Sequence, residues 1–298
     1  MVDDLRRGFL QGRGILGMSK QLADIRHLAL DMDGTIYSGG TLFPWTRPFL
    51  NRMTEMGIGY TFLTNNSSKS ARDYLAKLEA LDLGVEADQL FTSGLCMIEY
   101  LRSHRPDFKR LYILGTGSLR DEFSERGFTV VGNSADDAPD ALIVAFDTAL
   151  DYDDLCMAAY WAEQGKPYLA THPDKICPTD LKTVLVDCGA ICDCIESATG
   201  RKPDLVLGKP HASMLDGILA KHQLEPHQLG MVGDRLYTDI AMAEASGTFG
   251  VLVLSGEATA ADVAACPIPP DLVVPDIGEL GQCLQNAAGN AVRTGRKI

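Results

Sequence analysis

Leu28-Ala29-Leu30-Asp31-Met32-Asp33-Gly34-Thr35 is an apolar run that ends in two carboxylates and a glycine. A short, bounded apolar run of this kind reads as a buried strand. In an open parallel sheet, ligands bind beyond the carboxyl ends of the strands, which is where Asp31 and Asp33 fall. Two acids one residue apart repel unless a cation lies between them or one is protonated. Mg²⁺ is a hard ion that takes oxygen ligands and answers that repulsion.

Two further segments share the pattern. Gly230-Met231-Val232-Gly233-Asp234-Arg235-Leu236-Tyr237-Thr238-Asp239 places one acid at a strand end and another where the next helix begins. Phe62-Leu63-Thr64-Asn65-Asn66-Ser67-Ser68 ends a strand in hydroxyl and amide groups ahead of a helix, a setting that suits phosphate binding or simple capping by Ser67 or Ser68. Gly208-Lys209-Pro210 sets a lysine between a short strand and a helix, where a cation can neutralise phosphate.

Around these segments short apolar runs alternate with helical patterns. Strands are expected at Leu28 to Met32, Gly59 to Thr64, Leu111 to Leu114, Ala141 to Ala145, Leu205 to Leu207, Leu229 to Val232 and Thr248 to Leu254. Helices are expected at Pro48 to Met56 with Thr46 as cap, and at Ser68 to Leu81, Gly94 to Arg102, Tyr152 to Gln164, Ala212 to His222 and Asp239 to Ser246. The alternation predicts an α/β fold, a doubly wound parallel sheet with helices on both faces. The candidate chemistry falls in Asp31 to Ser68 and in Lys209 to Asp239, so a domain inserted in between is expected. The predicted division is 1–100 and 201–298 for the core and 101–200 for the insert.

Composition narrows the function classes. The chain has 298 residues, 46% hydrophobic and 22% charged, with 27 Lys and Arg against 40 Asp and Glu, a formal charge of -13. This is a globular composition, and its charge repels nucleic-acid backbone and anionic membrane, which leaves small phosphorylated ligands met at a local positive site. No window approaches the roughly 20 apolar residues of a membrane span. Met1 to Lys20 lacks the apolar centre of a secretory signal, so a cytoplasmic protein is expected, with this segment an extension or Met18 an alternative start. The eight cysteines fit reduced thiols, and the spacing of Cys188, Cys192 and Cys194, with Cys177 upstream, fits helix packing better than a zinc site.

Asp31-Met32-Asp33-Gly34-Thr35, Thr64-Asn65-Asn66, Lys209-Pro210 and Gly233-Asp234 with Asp239 resemble the four ordered motifs of the haloacid dehalogenase (HAD) superfamily. The Thr-Asn-Asn-Ser and Gly-Lys-Pro forms and the long insertion resemble its NagD-like and 4-nitrophenylphosphatase-like branch, whose cap is of class IIA. The resemblance runs from about Leu28 to Leu254 and implies a Rossmann-like core with an inserted α/β cap. It implies a Mg²⁺-dependent phosphatase of small phosphomonoesters, of nucleoside monophosphate, sugar phosphate, phosphoglycolate or pyridoxal phosphate type. Asp31 would be the nucleophile and Asp33 the acid and base. Thr64, Asn65, Asn66 and Lys209 would hold the phosphoryl group, with Lys209 also orienting Asp31. Mg²⁺ would be held by Asp31, the Asp33 backbone carbonyl and Asp234, with Asp239 behind them.

Two positions depart from the branch's pattern. His172, in Ala170-Thr171-His172-Pro173-Asp174, stands where the specificity loop usually has Asn, and is either a leaving-group contact or a surface histidine. Asp187-Cys188-Gly189-Ala190 replaces the usual Pro-Gly-x-Gly ahead of the cap helix. The expected partner is a small phosphorylated metabolite, with a homodimer through the cap also expected. A phosphotransferase or mutase, or a non-catalytic phosphate-binding regulator, are the alternatives.

Overall fold

Strand His27–Asp31 is buried along its whole length, as are Leu229–Gly233 and Phe249–Val253. Strands apolar on both faces need cover on both sides, the condition of a parallel α/β sheet. The computed structural model describes residues 20–177 and 182–293. The expected extension lies outside these residues except for Lys20, whose Nζ is 3.3 Å from Asp271 Oδ2.

The described residues form two units, one ending at Leu63 and resuming at Leu215, the other running from Thr64 to Met214. In the first unit the strands lie in the order Leu272–Val274, Phe249–Val253, Leu229–Gly233, His27–Asp31 and Gly59–Thr64. All are parallel. Leu30 is registered with Val232 and Asp31 with Leu63, so the first and central strands end at the same edge.

Helix Thr46–Met56 buries Phe49, Leu50 and Met53 at helical spacing and stops at Gly57, whose φ of 67° suits glycine. It begins two residues before the expected Pro48. Thr46 is its first residue rather than its cap, because the hydroxyl donates instead to the Ile36 carbonyl at 2.7 Å. A long C-terminal helix, Ile277–Arg293, packs on it.

The second unit holds its own parallel sheet of five strands: Leu205–Val206, Tyr168–Ala170, Ala141–Val144, Arg110–Leu114 and Thr129–Val130. Its core is built from Tyr112, Leu142, Phe146, Trp161, Tyr168 and Ile191, and Cys188 and Cys192 of helix Cys188–Thr199 pack into it. The insert expected at 101–200 lies inside this unit, which also takes in helices Ala71–Ala80 and Ser93–His104. One tie is the Ala71 amide, which donates to Glu122 Oε1 at 3.1 Å, and another is Thr116 Oγ1, which donates to the Ser68 carbonyl at 3.0 Å. Helix Ala71–Ala80 is capped by Ser70 in a reciprocal box with Asp73, not by Ser67 or Ser68.

His27 is buried in the first unit, with Nε2 2.9 Å from Thr61 Oγ1 and its ring stacked 4.2 Å from that of His222. Burial, then the charges of His222 and Lys221, lowers its pKa from 6.5 to about 4. The unfolded chain therefore binds a proton that the folded chain refuses. Stability is complete above pH 6.5 and declines as pH falls toward 4, by at most about 3 kcal/mol. His27→Gln, which removes the titration, is expected to flatten the dependence of Tm on pH between 7.5 and 4.5. Equal losses for the variant and the wild type over that interval would reject this assignment.

Candidate active site

Asp31 is the last residue of its strand, Asp234 follows the neighbouring strand Leu229–Gly233, and Asp239 lies in the π-type turn Leu236–Ile240 that comes next. All three are buried, and one carboxylate oxygen from each lies within 4.8 Å of those of the others. The backbone holds them in place: the Glu257 amide donates to Asp234 Oδ2 at 2.7 Å and the Arg235 amide to Asp239 Oδ2 at 3.1 Å. Glycine is required around the cluster. A Cβ on Gly256 or Gly34 would stand 1.9 or 2.3 Å from Asp234 Oδ2, and one on Gly233 would stand 2.2 Å from the Asp239 carboxyl carbon.

Three buried carboxylates at this spacing repel strongly, and an all-oxygen donor set matches a hard divalent cation such as Mg²⁺. The residues present therefore fit the metal expected from the sequence. Asp33 stands apart from the trio. It is exposed, and the buried Tyr37 phenol donates to its Oδ2 at 3.3 Å, leaving a carboxyl within reach of solvent for proton transfer.

Sequence reasoning passed over Arg235 and Glu257. Arg235 Nε lies 2.9 Å from Glu257 Oε2. Burial opposes the charge of Arg235, but Asp31 and Asp234, with Tyr237 and Glu257, outweigh it and hold the guanidinium cationic. The signal was an arginine directly after Asp234. Its partner is 22 positions on, in a segment without a motif.

In the second unit, Asn65 and Lys209 are brought together across 144 positions. The Lys209 amide donates to Asn65 Oδ1 at 2.7 Å, and Asn65 Nδ2 donates to the Lys209 carbonyl at 3.0 Å. Thr64 Oγ1 accepts the Asn66 amide at 3.1 Å. The Asn66 side chain is used locally, its Oδ1 accepting the Ser68 amide at 3.0 Å and hydroxyl at 2.6 Å.

His172 departs from the surface role that the sequence left open. It is completely buried, with Nδ1 2.9 Å from Thr171 Oγ1 and Nε2 2.8 Å from Asp187 Oδ1. It is therefore not a surface histidine, and both ring nitrogens are engaged within the unit.

Residues 28–129 match a family described as haloacid dehalogenase-like hydrolase, and residues 206–280 match a second HAD-like family. The ribonucleotide monophosphatase NagD of Escherichia coli K12 is 30% identical over 256 residues, covering 86% of this chain and 98% of that protein. The chain belongs to the haloacid dehalogenase superfamily. Within it the chain falls in the NagD-like, class IIA branch, and it is a phosphatase. The crystal structure of a 4-nitrophenylphosphatase from Thermotoga maritima is 38% identical, with a TM-score of 0.84 over 89% of this chain and 99% of its own. A glycerol phosphate phosphatase from Mycobacterium tuberculosis, solved in complex with magnesium, is 27% identical, with a TM-score of 0.79 over 90% of this chain and 80% of its own. The fold is thus the expected Rossmann-like α/β core with a cap. No helix among the described residues is long and apolar enough to cross a membrane.

The contact of Gly256 with Asp234 makes a direct prediction for this phosphatase. Gly256→Ala pushes the Asp234 carboxylate out of the cluster, and affinity for divalent cation is expected to fall by about tenfold or more. Titration of Mg²⁺ followed by the rise in Tm reads this without turnover. A wild-type Mg²⁺ response in the variant would show that Asp234 is not a ligand.

Proposed function

We propose that this phosphatase hydrolyses small phosphomonoesters in two displacements through a phosphoryl group carried on Asp31. The observation that supports this most is the convergence of Asp31 with Asp234 and Asp239, while Asp33, two residues from Asp31, stays exposed beside Tyr37. In the first step a carboxylate oxygen of Asp31 forms a bond to phosphorus as the bond to the leaving alcohol oxygen breaks. The Asp33 carboxyl gives that oxygen its proton. In the second step Asp33, now a carboxylate, takes a proton from water as the water oxygen bonds phosphorus, and the bond to Asp31 breaks to release inorganic phosphate.

Asp31, the Asp33 carbonyl and Asp234 would hold Mg²⁺, with Asp239 in support. The ion would neutralise phosphoryl charge, the main demand of phosphoryl transfer. Thr64, Asn65 and Lys209 would bind the phosphoryl oxygens. The reciprocal amide pairing of Asn65 with the Lys209 backbone favours this, because it fixes where the lysine leaves the chain. Asn66 would contribute through the local turn it closes. The substrates in the relatives' names, a ribonucleotide, a nitrophenyl ester and a glycerol ester, share only a phosphomonoester, and that is the class assigned here.

Phosphate release from a panel of phosphomonoesters, with Mg²⁺ and with chelator, tests the reading. Asp31→Asn is expected to lose at least about a thousandfold in kcat, and Asp33→Asn about a hundredfold or more with esters of poorly acidic alcohols. The Asp33→Asn loss should shrink for 4-nitrophenyl phosphate, whose leaving group needs little protonation. Undiminished release by Asp31→Asn would refute the mechanism.

A further inference from the structure

His172 and the Asp187-Cys188-Gly189-Ala190 segment are the two departures from the branch's sequence pattern, and His172 Nε2 lies 2.8 Å from Asp187 Oδ1. Asp187 is itself buried and caps helix Cys188–Thr199, its Oδ1 also accepting the Cys188 amide at 2.6 Å. A carboxylate this deep needs a counter-charge, and a wholly buried imidazole against it supplies one. On the other side the ring continues through Thr171 Oγ1 to Ser67 Oγ at 3.0 Å, and Ser67 Oγ accepts the Phe146 amide at 3.0 Å.

The loop that carries His172 also holds Asn65 and lies against Gly208, the residue before Lys209. Asp174 Oδ2 accepts Asn65 Nδ2 at 3.1 Å, and the same amide group donates to the Lys209 carbonyl. Gly208 lies against His172 so closely that a Cβ there would stand 2.7 Å from the histidine Cβ and 2.8 Å from Asn65 Oδ1. The Gly189 amide donates to the Asp174 carbonyl at 2.8 Å, tying the loop to the helix that Asp187 caps. His172, Asp174 and Asp187 converge to within 4.8 Å, but the nitrogen-to-oxygen contact is a hydrogen bond and Asp174 is engaged by Asn65.

We propose that His172, as an imidazolium paired with Asp187, is a positioning residue that holds the Thr171–Asp174 loop in the register that presents Asn65 and Lys209 to the phosphoryl group. This rests on the roles given to Asn65 and Lys209 above. The groups facing the ring are Asp187 and Cys188 at the start of the helix and Asp174 from its own loop. Burial opposes the charge on His172, while Cys188, then the hydrogen bond and charge of Asp187 and the Asp174 carboxylate, raise its pKa. Burial also pushes the Cys188 thiol far up, so that near neutral pH the thiol is uncharged and Asp187 and Asp174 hold the proton. The proton is therefore held near neutral pH by Asp187 and Asp174 and is lost only at alkaline pH, and with it the pairing that sets the loop.

The test uses the full chain. In an NMR titration of its imidazoles, His172 should remain protonated at pH 8 and lose that property in Asp187→Asn; a neutral His172 below pH 7 overturns the proposal without any turnover being measured. His172→Asn should raise KM and the inhibition constant for inorganic phosphate by about tenfold while changing kcat little, and should abolish the rise in KM that the wild type is expected to show at alkaline pH. Because His172→Asn leaves Asp187 buried and unpaired, the double variant His172→Asn/Asp187→Asn is made alongside it. That variant should recover folding but keep the flat pH profile. Wild-type KM and pH dependence in either variant overturns the proposal. Lys209→Met separates the two levels: if it leaves phosphate affinity intact the roles of Asn65 and Lys209 fail, whereas if it alone loses that affinity only the part given to His172 fails.

Discussion

The repulsion among three buried carboxylates is the constraint on which the first unit is organised. Asp31, Asp234 and Asp239 are driven into one small volume by the parallel pairing of the two strands that end there, and nothing in that pairing relieves their charge. The surrounding features follow from this. Glycines at 34, 233 and 256 leave room for carboxylate oxygens, backbone amides of Arg235 and Glu257 donate to them, and Arg235 lends its charge from the side. The all-oxygen trio fits a divalent cation, which would add positive charge at the same point. Phosphoryl transfer then needs little beyond a nucleophile, a proton carrier and positive charge.

The second unit handles buried charge differently. There the deep carboxylate, Asp187, is answered internally by His172, and the resulting pair joins a hydrogen-bonded set that includes Asn65 and the Lys209 backbone. Such a set is stiff when every member is satisfied and costly when one is lost. Its members come from four segments far apart in the chain, the loops after Leu63, Ala170, Val186 and Leu207. Positioning of the groups assigned to phosphate is therefore a property of the whole unit.

Much of this was legible in the sequence. Strand ends carrying acids were visible because fully buried parallel strands are unbroken apolar runs, so the first polar residue marks the edge. Strand Gly59–Thr64 was bounded correctly although Thr61 interrupts its apolar run. Helix Gly117–Glu125 was not recognised, since only Leu119 and Phe123 of its apolar residues are buried and the pattern is too sparse to stand out. Thr46 and Ser68 looked like caps by residue type, but capping depends on which carbonyls and amides compete for the hydroxyl, and that is a tertiary matter. The same limit hid the meaning of His172. Its partner is 15 residues further along the chain, and no local rule connects a histidine to a later helix cap. Arg235 was adjacent to a motif, yet its role came only from the fold that sets Asp31 beside it.

The central claim is that Asp31 carries the phosphoryl group between the two displacements. Acid quench of the enzyme during turnover of a phosphomonoester, followed by peptide mapping with mass spectrometry, tests it most directly. The account predicts a phosphorylated peptide with the modification on Asp31. Steady phosphate release with Asp31 unmodified at every quench time, or with the phosphoryl group on another side chain, would contradict it.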